Sequence, residues 1–214
     1  AKYLVADLSC LQSPDRMGIK DIESFIQNNE VHLLVNNAGF GSFGRFESLD
    51  VDHEERMIIL NCLAPMRLSH AVIPQMRIRR EGSIVTISSL AGFQPLSYMA
   101  TYGATKAFDL FFASALHHEL KHFGINSLAV CPGPVDTEFA GVARVPGQVT
   151  GMQRDSVDAV AKEIMSCIKL RKEICVPGFK AKLYLPFLKL LPLRLKNKIV
   201  ERALRMTLNA TGKK

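Results

Sequence analysis

Ser83-Ile-Val-Thr-Ile-Ser-Ser89 and, thirteen positions after its last serine, Tyr102-Gly-Ala-Thr-Lys106 decide the reading of this chain. The first stretch is an apolar, β-branched run that stops at two hydroxyls, the form of a strand covered on both faces in a parallel sheet. Ligands of such sheets bind at the C-terminal ends of strands, which puts Ser89 where a ligand oxygen arrives. The second stretch sets a phenol and an ammonium four residues apart, on one face of a helix. A free tyrosine titrates near pH ~10, too high for efficient proton exchange at neutrality, and a fixed cation beside it favours the phenolate. Tyrosine four residues before lysine is common on solvated helix faces, so the neighbouring strand-end serine is what turns the spacing into candidate chemistry. Ser88 should point away from Ser89 if the strand continues. Tyr98 is a decoy, because the residue four positions on is Tyr102 and not a base.

Similar apolar runs lie at 3–6, 31–35, 126–131 and 173–176. They alternate with helical patterns predicted at 13–29, 52–79, 98–123 and 155–170, the sequence form of an α/β fold with a doubly wound parallel sheet. Ser13-Pro14-Asp15 offers a cap and an early acid for the first helix, and Pro65 and Pro74 should bend the second. No repeat or linker divides the chain, so residues 1–178 read as one catalytic domain and 179–214 as an extension packed on it or at an interface.

Apolar residues at 48% and charged residues at 22% are an ordinary globular balance. The five scattered cysteines have no zinc or dithiol spacing and read as reduced thiols of a cytoplasmic protein. His117, His118 and His122 have no carboxylate or cysteine at metal spacing, so no metal is expected. The net charge of +7 is concentrated in residues 180–214, which hold ten Lys/Arg and one acid, Glu201. The remainder is slightly acidic, which argues against a nucleic-acid-binding surface.

Gly39-Phe-Gly41-Ser-Phe-Gly44 fits the G-x-G-x-x-G pattern after a strand. A phosphate cradle also needs a helix opening within the motif and an acid at the end of a following strand. Neither is present, so a glycine loop is the better reading.

With these residues assembled, the chain resembles the short-chain dehydrogenase/reductase family, from that fold's third strand to its C-terminus. The motifs are Asn36-Asn-Ala-Gly39, Asn61 within Ile58-Ile-Leu-Asn61, Ser88-Ser89, Tyr102-x-x-x-Lys106 and Pro132-Gly133-x-x-x-Thr137. The resemblance implies a Rossmann-like sheet and NAD or NADP as cofactor. It implies that Tyr102 exchanges a proton with an alcohol or carbonyl oxygen held by Ser89. Lys106 would lower the tyrosine pKa and bind the nicotinamide ribose, and Asn61 would anchor a water through its main chain. Further cofactor contacts would come from Asp7, Asn36, Ala38 and Gly39, and from Pro132, Gly133, Val135 and Thr137. Asp7 reads equally as a turn residue. The substrate class implied is a ketoacyl, steroid or other lipid-like carbonyl or alcohol, in a homo-oligomeric enzyme. A catalytically silent scaffold is the alternative.

The family's glycine-rich T-G-x-x-x-G-x-G loop and its two flanking strands are absent from the sequence. By analogy with the family's strand order, roughly 60–70 further residues are expected before Ala1. Without those strands, residues 3–6 would lack a partner and the strand ending at Asn36 would show an open parallel edge. The residues that discriminate NAD from NADP would lie in the same segment. The basic tail leaves three readings open. Its apolar stripe of Ile199, Val200, Ala203 and Leu204 packs on the domain or a sister subunit, lies on an anionic membrane, or lines the entrance for a lipid-like substrate.

Overall fold

A computed structural model of the chain describes residues 4–11, 17–143 and 154–210. Its order is α1 (Ile19–Gln27), β1 (Leu33–Asn36), α2 (Val51–Ile58), a π-helical turn (Ile59–Leu63), α3 (Ala64–Arg79), β2 (Gly82–Ile87), α4 (Ala100–Leu120), β3 (Ile125–Val130), α5 (Phe139–Val142), α6 (Val157–Lys169), β4 (Ile174–Cys175), α7 (Phe179–Leu190) and α8 (Leu193–Ala210). The strands form one parallel sheet in the order β1-β2-β3-β4. Each connection between them carries helix, as parallel crossovers require.

Alternation along the strands divides the core between two faces. Ile84 and Ile125 point to the side covered by α1 and α3, with Leu68, Val72 and Met76. Val85, Leu128 and Val130 point to the side covered by α6, with Cys167. Every residue of β3 is buried, which accounts for its unbroken apolar character. The 29-residue run from Val51 to Arg79 is apolar and long enough to cross a bilayer by composition, but it is built into this core.

Four of the five predicted strands are present; residues 3–6 are the exception. Leu4 and Val5 belong to no strand and are exposed, and Ala6 makes an isolated parallel bridge to Met17. An apolar run becomes a strand only where a ladder satisfies its amides and carbonyls, and no neighbouring strand among the described residues offers one. The outer edge of β1 is open among the described residues, with Leu33 43% and Val35 48% exposed. The proposed cap at Ser13–Asp15 lies outside the described residues; α1 starts at Ile19, where Asp21 accepts from the Gly18 amide.

The irregularity in the long helix lies just before the first of its two prolines. Residues 59–63 widen into the π-helical turn, and Pro65 follows directly as the second residue of α3. Pro74 is accommodated inside α3.

Gly124 joins α4 to β3 at φ 74°, and a Cβ there would lie 2.0 Å from the Arg80 carbonyl oxygen. Gly124→Ala is therefore expected to destabilise the protein by roughly 1–3 kcal/mol, from left-handed strain and displaced backbone together. Urea unfolding measures this; an unchanged midpoint would contradict the close approach.

Candidate active site

Three structural devices bring Ser89, Tyr102 and Lys106 together. The alternation of β2 carries past its end at Ile87 and sends the two serines that follow it apart. Ser88 is buried and donates to the Lys106 carbonyl oxygen at 2.6 Å, while the Ser89 hydroxyl lies near enough to the Tyr102 phenol to lower its pKa. The Ser89 hydroxyl also accepts from the Ala91 amide at 3.1 Å, capping the short turn Leu90–Phe93. That turn lies against α4 so closely that a Cβ on Gly92 would sit 2.6 Å from the Lys106 carbonyl oxygen.

The third device is the π-helical turn, which projects Asn61 inward with 1% exposure. Its amide donates to the Phe40 carbonyl at 2.9 Å and to the Thr105 hydroxyl at 3.0 Å, and its oxygen accepts from the Phe40 amide at 3.2 Å. Asn61 thus fastens the loop after β1 to the helix that carries Tyr102 and Lys106. The widened turn and the site residue are one feature.

Lys106 is almost fully buried. Its ammonium donates to the Ile87 carbonyl at 2.8 Å and to the Asp109 carboxylate at 2.9 Å. Asp109, three residues further along α4, is itself 1% exposed. The sequence reading did not select it, because an acid three residues after a lysine ordinarily marks a solvated helix pair.

Tyr102 is buried among Phe43, Met57, Met99 and, from the C-terminal helix, Val200, Leu204 and Leu208; its ring is 5.3 Å from that of Phe139. Burial pushes the phenol above its usual range, while the Lys106 charge and the Ser89 hydrogen bond pull it back and Asp109 opposes them. The cation acts in the expected direction, but desolvation exceeds it.

The other predicted residues fall into two groups. Asn36, at the end of β1, is buried with its side-chain amide 3.2 Å from Ser69 Oγ, and Ala38 and Gly39 follow as an exposed ledge. A Cβ on Gly39 would lie 3.6 Å from Lys106 Nζ, so this ledge adjoins the lysine head. Pro132 accepts from the Leu90 amide at 3.0 Å, which holds the end of β3 beside the Ser89 turn. Gly133 lines a cavity of about 290 Å³ with Pro134, Arg154, Ser156 and Phe179. Val135 bridges to Asp155, and Thr137 is exposed and accepts from the Phe139 amide. Asp7 folds back onto its own turn, accepting from the Ser9 amide at 2.9 Å and the Ser9 hydroxyl at 2.7 Å. Among the described residues, no group of three or more potential metal ligands occurs.

The glycines of the G-x-G-x-x-G match serve packing. No helix opens within the motif, and a Cβ on Gly41 would meet the rings of Tyr102 and Phe139 at 3.0 Å. A dinucleotide can therefore be held at its nicotinamide-ribose end, by Lys106 and by the loops after β1 and β3. The described residues offer no equivalent seat for its phosphates.

The sequence profile of the family described as short chain dehydrogenase matches residues 3–145. Retinol dehydrogenase 8 from Bos taurus is 43% identical over 117 residues, which cover 54% of this chain and 37% of that protein. Acetoacetyl-CoA reductase from Paracoccus denitrificans is 35% identical over 138 residues, covering 64% of this chain and 54% of that protein. The chain thus spans about a third to a half of the length of these relatives. Among solved structures, a short-chain dehydrogenase from Sphingobium yanoikuyae in complex with NADPH superposes with a TM-score of 0.72 at 32% identity, over 79% of this chain and 66% of that one.

Burial drives the Asp109 carboxyl up to about 6, against the pull of the Lys106 charge and hydrogen bond. The same burial, reinforced by Asp109, pushes the nearby Cys62 thiol up to about 12. A carboxyl whose pKa is raised by folding contributes stability below its ordinary value of 3.8, and that contribution is lost as pH rises through about 6. Asp109→Asn should therefore flatten the stability-versus-pH profile across this window. Urea midpoints at a series of pH values test it: parallel profiles for the two proteins would mean that the pair carries no such linkage.

Proposed function

The chain belongs to the short chain dehydrogenase family, and on that premise we propose that it is the catalytic part of an NAD(P)-dependent oxidoreductase interconverting a secondary alcohol and a ketone. The observation that carries this reading is the buried phenol of Tyr102, near enough to Ser89 and to Lys106 for both to pull its pKa down. A bound nicotinamide would supply or accept the hydride. NAD or NADP is the cofactor class, in keeping with the NADPH complex of the Sphingobium yanoikuyae relative.

The chain's own residues account for the proton. Tyr102 gives its phenolic proton to the carbonyl oxygen as the alcohol forms, and takes it back in the reverse direction. Ser89 hydrogen-bonds that oxygen and fixes it against the phenol. Lys106 opposes the desolvation of the phenolate and offers its remaining proton to ribose hydroxyls beside the Ala38–Gly39 ledge. Asn61 keeps that ledge at a fixed distance from α4.

The substrate class we favour is a lipid-like carbonyl or alcohol. Its support is the apolar surround of Tyr102, made by Phe43, Met57, Met99, Phe139 and the inner side of α8. Two relatives, retinol dehydrogenase 8 and acetoacetyl-CoA reductase, are named for substrates of this type. A homo-oligomer remains part of this reading; α4 exposes Phe111 at 69%.

The test is a nicotinamide-linked assay of the full-length protein over a panel of ketones and alcohols. Tyr102→Phe should lower kcat by about 10²-fold or more while cofactor binding is retained, as expected for removal of a general acid. Equal turnover by the two proteins would remove Tyr102 from the reaction. Tight cofactor binding with no turnover of any substrate would favour a silent scaffold instead.

A further inference from the structure

Helix α8 carries two apolar stripes, and only one of them is used by the fold. Val200, Leu204 and Leu208 are 9%, 6% and 1% exposed and join the cluster around Tyr102. Leu195, Ile199 and Met206 are 45%, 49% and 66% exposed. At about 100° per residue, those three fall within roughly 40° of one another, nearly opposite the buried stripe. A helix that merely covered a core would present polar residues there.

The charges around the outer stripe have one sign. Lys198 and Arg202 are exposed along one flank, and Lys196 stands on the other. Glu201, the sole acid between 180 and 214, sits towards the buried side, where it accepts from the Tyr98 hydroxyl at 3.2 Å and pairs with Arg205 at 3.4 Å. The preceding α7 adds exposed Phe179, Leu183 and Leu190.

We propose that this outer stripe of α8 is a docking surface for an anionic lipid bilayer. Apolar side chains would enter the headgroup region while flanking ammonium and guanidinium groups meet lipid phosphates and carboxylates, as in helices that lie in the plane of a membrane. A second copy of the chain fits less well, because the same stripe on a partner would set Lys196, Lys198 and Arg202 against their own kind. An acidic protein surface would match the charges but leave the apolar stripe without a counterpart. Docking by this face puts the inner stripe, and with it Tyr102, one helix thickness from the bilayer. The consequence for substrate supply rests on the proposed redox reaction; the docking itself does not.

The full-length protein is sedimented with vesicles of phosphatidylcholine alone and with vesicles containing phosphatidylserine, in parallel with Leu195→Glu/Ile199→Glu and Lys198→Glu/Arg202→Glu variants. The wild type should partition at least about tenfold better onto the anionic vesicles, and each double variant should lose most of that gain. Both pairs are exposed, so their replacement spares the core, and thermal unfolding checks this. Amide hydrogen exchange of the wild type should also slow across residues 195–206 when anionic vesicles are added. Failure to bind anionic vesicles, binding unaffected by the apolar substitutions, or unchanged exchange would each overturn the proposal. So would a stable dimer in solution that Leu195→Glu/Ile199→Glu dissociates, which would assign the stripe to a second copy. None of these readouts depends on turnover, so failure of the redox reading would show separately in the nicotinamide assay.

Discussion

The ammonium of Lys106 is a buried charge, and a buried charge survives only where its surroundings compensate it. Two of its protons go to the Ile87 carbonyl and the Asp109 carboxylate, while the carbonyl of the same residue accepts from Ser88. One residue thereby stitches the end of β2 to the first turns of α4 through both side chain and backbone. Everything else in the site is referred to that joint. Tyr102 lies one helical turn before it, the Ser89 turn packs over it at Gly92, and the Gly39 ledge approaches its head group.

The apolar core supports this joint from both sides of the sheet. Ile84 and Val85 commit adjacent residues of β2 to opposite clusters, so the strand cannot slide without exposing one set. Asn61 then adds a polar tie across the gap between the loop after β1 and α4, and it does so from a π-helical turn that aims its side chain inward. On the far side of Tyr102 the wall is supplied from the end of the chain, by α8. Tyr98 helps to seat that helix: its backbone holds a left-handed φ of 63°, costly for an aromatic residue, while its hydroxyl donates to Glu201.

Strands β2 and β3 could be read from the chain because burial on both faces demands apolar runs, and such runs are visible; β1 carries the same kind of run although Leu33 and Val35 stand exposed. The run at 3–6 has the same look, yet Leu4, Val5 and Ala6 form no strand, since composition reports what a strand would bury and not whether a partner strand exists. Ser89, Tyr102 and Lys106 were readable because a strand end and a helical repeat each fix where a side chain points. Asp109 was not, because its role depends on how deeply α4 is buried, which helical spacing leaves open. The stripe on α8 shows the same limit. Ile199 and Val200 are neighbours of similar hydropathy, yet one faces outward and the other packs beside Tyr102. Similarly, prolines announced a bend in the long helix, but the widened turn formed just before Pro65.

The pleat that separates Ser88 from Ser89 also governs which changes of length the chain tolerates. From Ile84 to Ser89 every position is fixed by parity, since inserting or deleting one residue would exchange the serine that braces α4 with the serine that meets the phenol. Between the Ser89 turn and Ala100 the constraint is different. Residues 94–99 form no regular element, yet Leu96, Tyr98 and Met99 pack against the Tyr102 cluster, so the slack in that connection lies at its start, around the exposed Pro95. Descendants of this sequence are therefore freer to lengthen the chain around Pro95, whereas length changes within β2 should be rare wherever the chemistry is kept.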